Sequence, residues 1–149
     1  MRHNNGTHSS PTSPLDQTPT HLPQFTTPLP APTVVYICHC TLCRHQSSSA
    51  FGISAIFPKF SIETPNADSL RMWSRPALSG KTMRCYFCDV CGSRLVHARD
   101  GLESVSVKGG CLRGLSREIV AGAVHIWVAE AVVEIPDGVE RFDGEPPDD

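Results

Sequence analysis

Six of the seven cysteines fall into two tight clusters, and their spacing constrains this chain more than any other feature. The clusters are Cys38-His-Cys40-Thr-Leu-Cys43 and Cys85-Tyr-Phe-Cys88-Asp-Val-Cys91. Residues i and i+2 of an extended strand share one face, so the sulfurs of Cys38 and Cys40 can reach one ion. Cys43 can add a third sulfur from the following turn. Tetrahedral thiolate sites favour zinc, with an iron–sulfur cluster as the alternative.

The second cluster requires a chain reversal between Cys88 and Cys91. Gly92 follows directly and suits the positive φ that closes such a turn. From spacing alone, the simplest arrangement is a single zinc ribbon in which Cys40 and Cys43 share one ion with Cys88 and Cys91. That arrangement predicts structural metal in a binding module.

Composition and charge exclude several classes of protein. With 149 residues, 40% of them hydrophobic, the chain predicts one domain plus tails, with a small core that metal would help to stabilise. A net charge of −2 gives no electrostatic basis for nucleic-acid binding. No apolar run is long enough to span a membrane. We therefore expect neither a nucleic-acid nor a membrane partner.

The odd cysteine count and the N-terminal sequence together indicate a reducing compartment. The N-terminus has neither the basic nor the apolar stretch of a secretory signal. Disulfides are the rival explanation, but secreted disulfide frameworks spread their cysteines along the chain. We expect a cytoplasmic protein, with the nucleus as an alternative location.

Composition divides the chain into three segments. Residues 1–32 contain seven of the 13 prolines among Ser, Thr and Asn, which predicts a disordered segment. Residues 33–145 alternate with the period of strands, and residues 146–149 form an acidic tail. Strands are predicted at 34–37, 51–57, 70–73, 83–87, 95–98, 105–107 and 124–128, with one helical turn at 115–120. The predicted fold class is mostly β.

Several motifs together resemble one known family. They are Cys38-His-Cys40-Thr-Leu-Cys43-Arg44, Ser49-Ala50-Phe51, Phe87-Cys88-Asp-Val-Cys91-Gly92-Ser93, Val107-Lys-Gly-Gly-Cys111-Leu112, His125-Ile126-Trp127 and Pro136-Asp-Gly-Val-Glu-Arg-Phe142. The pattern resembles the glutathione-dependent formaldehyde-activating enzyme family, which includes the centromere protein V group. The resemblance spans residues 33–145.

The resemblance implies a β-tent fold, in which small sheets surround two zinc sites. It assigns Cys38, Cys40 and Cys43 to a three-thiolate zinc site that is the proposed catalytic centre. It assigns Cys88 and Cys91 to half of a structural zinc site. The family's other half, an upstream Cys-x-Cys, is absent here. Either the N-terminus is truncated or altered, or Cys85 supplies a third ligand, or the structural zinc is missing.

The implied activity is that of a zinc-dependent carbon–sulfur lyase or synthase acting on glutathione–formaldehyde or a related thiol adduct. The implied partner is a small thiol, and Arg44 is a candidate for binding one of its carboxylates. The alternative is a zinc-stabilised interaction module without catalytic activity. Cys85 and Cys111 are predicted to be small packed residues, and His39, His45, His97 and His125 are predicted to have no ligand or catalytic role. The sequence makes no prediction of oligomeric state.

Overall fold

The computed structural model describes residues 22–62, 67–77 and 79–147. Eight strands in this part of the chain form one sheet, in the order β3-β4-β5-β6-β2-β1-β7-β8. The strands are β1 Val34–Cys38, β2 Gly52–Pro58, β3 Leu70–Pro76, β4 Thr82–Cys88, β5 Arg94–Arg99, β6 Ser104–Lys108, β7 Val124–Ile126 and β8 Arg141–Phe142. All neighbouring pairs are antiparallel except β1–β7 and β7–β8. The prediction of a mostly-β fold is confirmed.

Two short α-helices flank the sheet: α1 Thr41–Ser47 and α2 Arg117–Ala121. Short 3-10 helices cover Ala67–Ser69, Gly109–Cys111 and Val128–Glu130. In α2, the Ser116 side chain accepts a hydrogen bond from the Ile119 amide, as an N-cap residue does. No helix in the described part of the chain has the length and apolar character needed to cross a bilayer.

The two faces of the central strands differ in chemistry. One face carries the apolar core, which includes Val35, Ile37, Ala55, Phe57, Val105 and Val107. Residues paired across antiparallel strands share a face. The register therefore places Ser54 beside Lys108, and Ser106 beside His97, on the opposite face. Cys85 extends this polar row, since it pairs with His97.

Three local predictions need correction. β3 continues to Pro76 and does not end at residue 73. β7 ends at Ile126, because Trp127 adopts a left-handed φ of 58° and Val128 begins a 3-10 helix. The stretch after Cys40, predicted only as a turn, is the helix α1.

Part of the segment predicted to be disordered contacts the sheet. Residues 22–32 have no regular secondary structure, yet Phe25 packs against Phe60, with ring centroids 5.8 Å apart. Phe25 also packs against the core. The rest of the predicted disordered segment, residues 1–21, lies outside the described residues, as does half of the predicted acidic tail, residues 148–149.

Candidate metal centre

The end of β1 and the start of α1 bring three sulfurs together. The Sγ atoms of Cys38, Cys40 and Cys43 all lie within 4.8 Å of one another. Cys40 is the N-cap of α1, and its Sγ accepts a hydrogen bond of 3.4 Å from the Cys43 amide. The cap turns the chain so that Cys43 faces back towards the sulfurs of Cys38, at the end of β1, and Cys40. All three sequence-predicted thiolates are therefore in one cluster.

This cluster fits a zinc ion by donor type and spacing. Zinc–sulfur bonds of about 2.3 Å in a tetrahedron place sulfurs about 3.8 Å apart. The observed spacing is compatible with that arrangement after small side-chain adjustments. Three protein sulfurs leave a fourth position for another ligand, which is typical of catalytic zinc. In the described part of the chain, no other group of three or more His, Cys, Asp or Glu side chains has this spacing.

Hydrogen bonds from Cys38 and Cys40, followed by the positive charges of Lys108 and Arg94, lower the pKa of Cys43. Hydrogen bonds with Cys40 and Cys43, together with burial, raise the pKa of Cys38. Hydrogen bonding and nearby positive charge therefore favour the thiolate form of Cys43. A thiolate is the form that binds metal.

Lys108 lies at the end of β6 and is partly buried. Its Nζ donates hydrogen bonds of 3.0 Å to the hydroxyls of Ser54 and Ser106, which fix the ammonium group above the polar face. Burial, followed by the charge of Arg94, lowers the pKa of Lys108 to about 8, while Cys43 acts in the opposite direction. An ammonium group has three donors, so one N–H remains for a further acceptor.

Two arginines join Lys108 in a cationic cluster. Arg94 makes a side-chain hydrogen bond with Cys43, and its Nη2 lies 3.4 Å from His97 Nε2. Burial, then the charges of Lys108, Arg94 and Arg75, lower the pKa of His97 far below its usual range. His97 is therefore neutral, and the positive charge resides on Arg75, Arg94 and Lys108.

None of these three cations has a carboxylate partner among the described residues. The ion pairs there are Arg71–Asp89, Arg84–Asp100 and Arg99–Glu145. The Nε atoms of Arg75 and Arg94 are buried without a hydrogen-bond partner.

Comparison with known proteins identifies the family. The sequence profile described as "Glutathione-dependent formaldehyde-activating enzyme" matches residues 24–130. The chain belongs to this family. A solved structure of a Rhodobacter sphaeroides protein from a structural genomics programme is similar at 19% identity and a TM-score of 0.47, over 62% of this chain and 81% of that chain. No curated protein matches.

The second cysteine cluster of this family member is not part of the three-sulfur group. Cys88 is fully buried at the end of β4, and Cys91 is exposed. Neither belongs to the group formed by Cys38, Cys40 and Cys43, so the four-cysteine ribbon is not formed. Cys85 is 2% exposed, as expected of a packed residue, and does not complete a three-ligand group with Cys88 and Cys91. Their assignment to a structural zinc site stays a prediction.

Two further predicted residues have local structural roles. Arg44 Nη2 donates to Thr41 Oγ1 at 3.2 Å, so this guanidinium contacts the start of its own helix. Cys111 Sγ donates to the Arg94 carbonyl at 2.8 Å, which links the 3-10 helix after β6 to β5. Cys111 thereby helps to position the backbone that carries Arg94.

Sequence reasoning missed the cationic cluster. Lys108, Arg94 and Arg75 come from three different strands, and no local motif joins them. One signal was available for Lys108: it alternates with Val105 and Val107 along β6, in phase with Ser104 and Ser106. Period-two alternation places such residues on the face away from the core.

Proposed function

We propose that this protein is a zinc-dependent carbon–sulfur lyase or synthase that acts on the adduct of glutathione and formaldehyde, or on a related anionic thiol adduct. One observation carries the proposal: in the described part of the chain, a partly buried cluster of three cations has no carboxylate partner, and two of them, Lys108 and Arg94, lie close to Cys43. The family description names glutathione and formaldehyde, which supports this choice of substrate.

The charges favour a substrate of this kind. Three thiolates and one Zn²⁺ sum to −1, whereas Arg75, Arg94 and Lys108 sum to +3. An anionic ligand is needed to neutralise the remainder. Glutathione carries two carboxylates and one ammonium group, so its thiolate form has a net charge of −2. Charge-assisted hydrogen bonds from Lys108 and Arg94 would hold the carboxylates and place the thiol at the open position.

The reaction forms one carbon–sulfur bond. Zinc, when bound, lowers the pKa of a coordinated thiol, so that thiolate is present at neutral pH. The substrate sulfur attacks the carbonyl carbon of formaldehyde, the carbon–oxygen double bond becomes a single bond, and the proton lost from the thiol ends on that oxygen. The reverse direction releases formaldehyde. Lys108 and Arg94 contribute orientation, which converts a bimolecular encounter into a positioned one.

Exchange spectroscopy by NMR tests the activity. Zinc-loaded protein should accelerate exchange between glutathione and S-(hydroxymethyl)glutathione above the rate without protein, and Cys43→Ser should abolish the acceleration. Cys111→Ser is the matched control, because Cys111 is outside the thiolate cluster and a serine hydroxyl can still donate to the Arg94 carbonyl. Exchange at the protein-free rate with wild type would refute the enzymatic proposal.

Metal analysis tests the site independently of turnover. We expect Cys40→Ser to lose the zinc of the three-thiolate cluster, and Cys88→Ser to keep it, because Cys88 is not part of that cluster. Equal loss in both variants would contradict two separate sites. The cytoplasm suits this function, since free thiolates and glutathione both persist in a reducing compartment.

One observation favours the alternative of an interaction module. β3 is an edge strand. Two of its apolar residues are largely accessible to solvent: Met72 is 48% exposed and Trp73 is 45% exposed. Edge strands with exposed apolar side chains are ready to pair with another chain. Zinc binding with no acceleration of exchange would favour this alternative.

A further inference from the structure

Two of the three clustered sulfurs have the spacing that a disulfide needs. Cys40 is the N-cap of α1, and its carbonyl accepts a hydrogen bond of 3.0 Å from the Arg44 amide. Cys40 and Cys43 therefore span one turn of helix, in which residues i and i+3 have Cα atoms about 5 Å apart. Disulfides join Cα atoms that are about 4.4–6.8 Å apart. Since the Sγ atoms already lie within 4.8 Å of each other, rotation of the two side chains is enough to join them.

Cys38 is the poorer partner within the same cluster. It is two residues from Cys40 along an extended segment, which places the two Cα atoms about 6.6 Å apart, near the upper limit for a disulfide. Cys38 is also buried at 6% exposure, whereas Cys40 and Cys43 are both partly accessible to solvent. A dissolved oxidant therefore reaches Cys40 and Cys43 in preference to Cys38.

We propose that Cys40 and Cys43 form a dithiol that an anionic low-molecular-weight disulfide, of which oxidised glutathione is the model, converts to an intramolecular disulfide with loss of the metal. Cys38 would then be the one thiolate left in the cluster. Because thiolates are the form of cysteine that binds metal, a single remaining thiolate does not hold the ion.

The reaction is thiol–disulfide exchange, and it balances without a further reactant. The sulfur of Cys43 attacks one sulfur of the small disulfide, which forms a mixed disulfide and releases one small thiolate. The sulfur of Cys40 then attacks the Cys43 sulfur, which forms the Cys40–Cys43 bond and releases the second small thiolate. The two cysteines lose two electrons and the small disulfide gains them. An excess of the reduced thiol drives the same steps in reverse.

The positive charges beside the pair favour an anionic disulfide. Arg94 makes a side-chain hydrogen bond with Cys43, and the charge of Lys108 acts on the same sulfur. Oxidised glutathione carries four carboxylates and two ammonium groups, so its net charge is −2. Charges of opposite sign raise association rates by about 10- to 1,000-fold at low salt. The pair should therefore react faster with oxidised glutathione than with a neutral disulfide.

Disulfide mapping on zinc-loaded full-length protein tests the pairing. After incubation with oxidised glutathione, free thiols are alkylated, and fragmentation of the tryptic peptide 3–44, which contains all three cysteines, locates the bond. We expect a Cys40–Cys43 disulfide with alkylated Cys38, and zinc release to a colorimetric chelator at the same rate as disulfide formation. A peptide that stays reduced, a disulfide that includes Cys38, or zinc retained by the oxidised protein would each overturn the proposal.

Cys91→Ser is the control for the location, because it removes the other closely spaced cysteine pair and replaces an exposed residue. Zinc release from this variant should match wild type. Release that disappears would place the reaction at the second cluster and refute the assignment to Cys40 and Cys43.

A comparison of two disulfides tests the charge selection. Rates with oxidised glutathione and with neutral bis(2-hydroxyethyl) disulfide are each divided by the rate of the same disulfide with a small reference thiol. We expect at least about a tenfold preference for oxidised glutathione, which high salt and Lys108→Gln both reduce and Lys59→Gln does not. Equal normalised rates would refute the anionic selectivity. The readouts are a disulfide bond and released zinc, so a protein that fails to accelerate exchange with formaldehyde still gives them.

Discussion

Glu130 Oε2 accepts two hydrogen bonds of 2.8 Å from Thr41, one from its backbone amide and one from its hydroxyl. Thr41 is the first residue of α1, and its amide has no partner within the helix. A carboxylate at this end also interacts favourably with the helix dipole. The 3-10 helix after β7 therefore holds the turn that carries Cys40 and Cys43.

Removal of this carboxylate should weaken the metal centre. We expect Glu130→Ala to reduce the free energy of unfolding by about 1–2 kcal/mol and to speed zinc loss to a chelator, because the start of α1 loses its external acceptor. Urea unfolding and chelator kinetics measure the two effects. Glu140→Ala removes an exposed carboxylate that does not take part in this contact and is the control; equal effects of the two substitutions would contradict this role.

The cationic cluster should matter most for thiols that carry carboxylates. We expect Lys108→Gln to lower kcat/KM for glutathione–formaldehyde exchange by about 10- to 100-fold, the loss of one charge-assisted hydrogen bond. The same variant should lose much less of its rate with 2-mercaptoethanol, which has no carboxylate, since only the effect of Lys108 on Cys43 then remains. Lys59→Gln, at an exposed position, controls for net charge. An equal loss with both thiols would show that Lys108 acts on the thiolate cluster and not on the substrate.

The backbone of Gly109 lies directly against the side chain of Ile53, which leaves no room for a Cβ at this position. A Cβ at this position would lie 2.5 Å from Ile53 Cγ2 and 2.7 Å from Ile53 Cβ. Because the β-branched side chain of Ile53 is stiff, Gly109→Ala should destabilise the fold by about 1–3 kcal/mol. A Cβ at Gly110 would meet no atom within 4 Å, so Gly110→Ala is a matched control with little effect. Thermal unfolding compares the pair, and indistinguishable melting temperatures would contradict the clash.

Because of His97, the protein should become less stable as the pH is lowered. Burial, followed by Lys108 and the two arginines, lowers the pKa of His97 in the folded state. The unfolded chain gains a proton below about pH 6.5 and the folded chain does not, so this contribution is full above that pH and is lost as pH falls. When the pH is lowered from 7.5 to 5.5, the free energy of unfolding of wild type should decrease by about 1.4 kcal/mol more than that of His97→Gln.

Urea unfolding at the two pH values measures that difference. His45→Gln removes an exposed imidazole from α1 and is the matched control. If the two substitutions change the pH dependence equally, burial of His97 is not the cause.

The metal cluster was predictable because it is local. A strand followed by a turn is enough to bring Cys38, Cys40 and Cys43 together, and both features are short-range properties of the sequence. The bond between His39 and His125 depends on parallel pairing of β1 with β7, which no local pattern specifies. Likewise, Lys108 meets Arg94 and Cys43 only when β6, β5 and α1 are assembled.

The incorrect strand boundaries have physical reasons. Pro76 remains in β3 because this is an edge strand, where a missing amide hydrogen need not break the ladder. β7 stops early because Trp127 adopts a left-handed conformation, which is rare for a bulky residue and which period-two alternation gives no means of anticipating. The amide of Trp127 donates a hydrogen bond of 3.1 Å to the carbonyl of Gly144, in the C-terminal segment.

The three cysteines are close in sequence, whereas the contact that secures α1 joins distant residues, so the two can form at different times during synthesis. The three sulfurs come from one short stretch near the beginning of the folded region, so closing a chelate ring among them costs little chain entropy. Glu130 lies 89 residues from Thr41 and emerges much later. The growing chain can therefore bring its three sulfurs together before the strand and carboxylate that later secure α1 have been made.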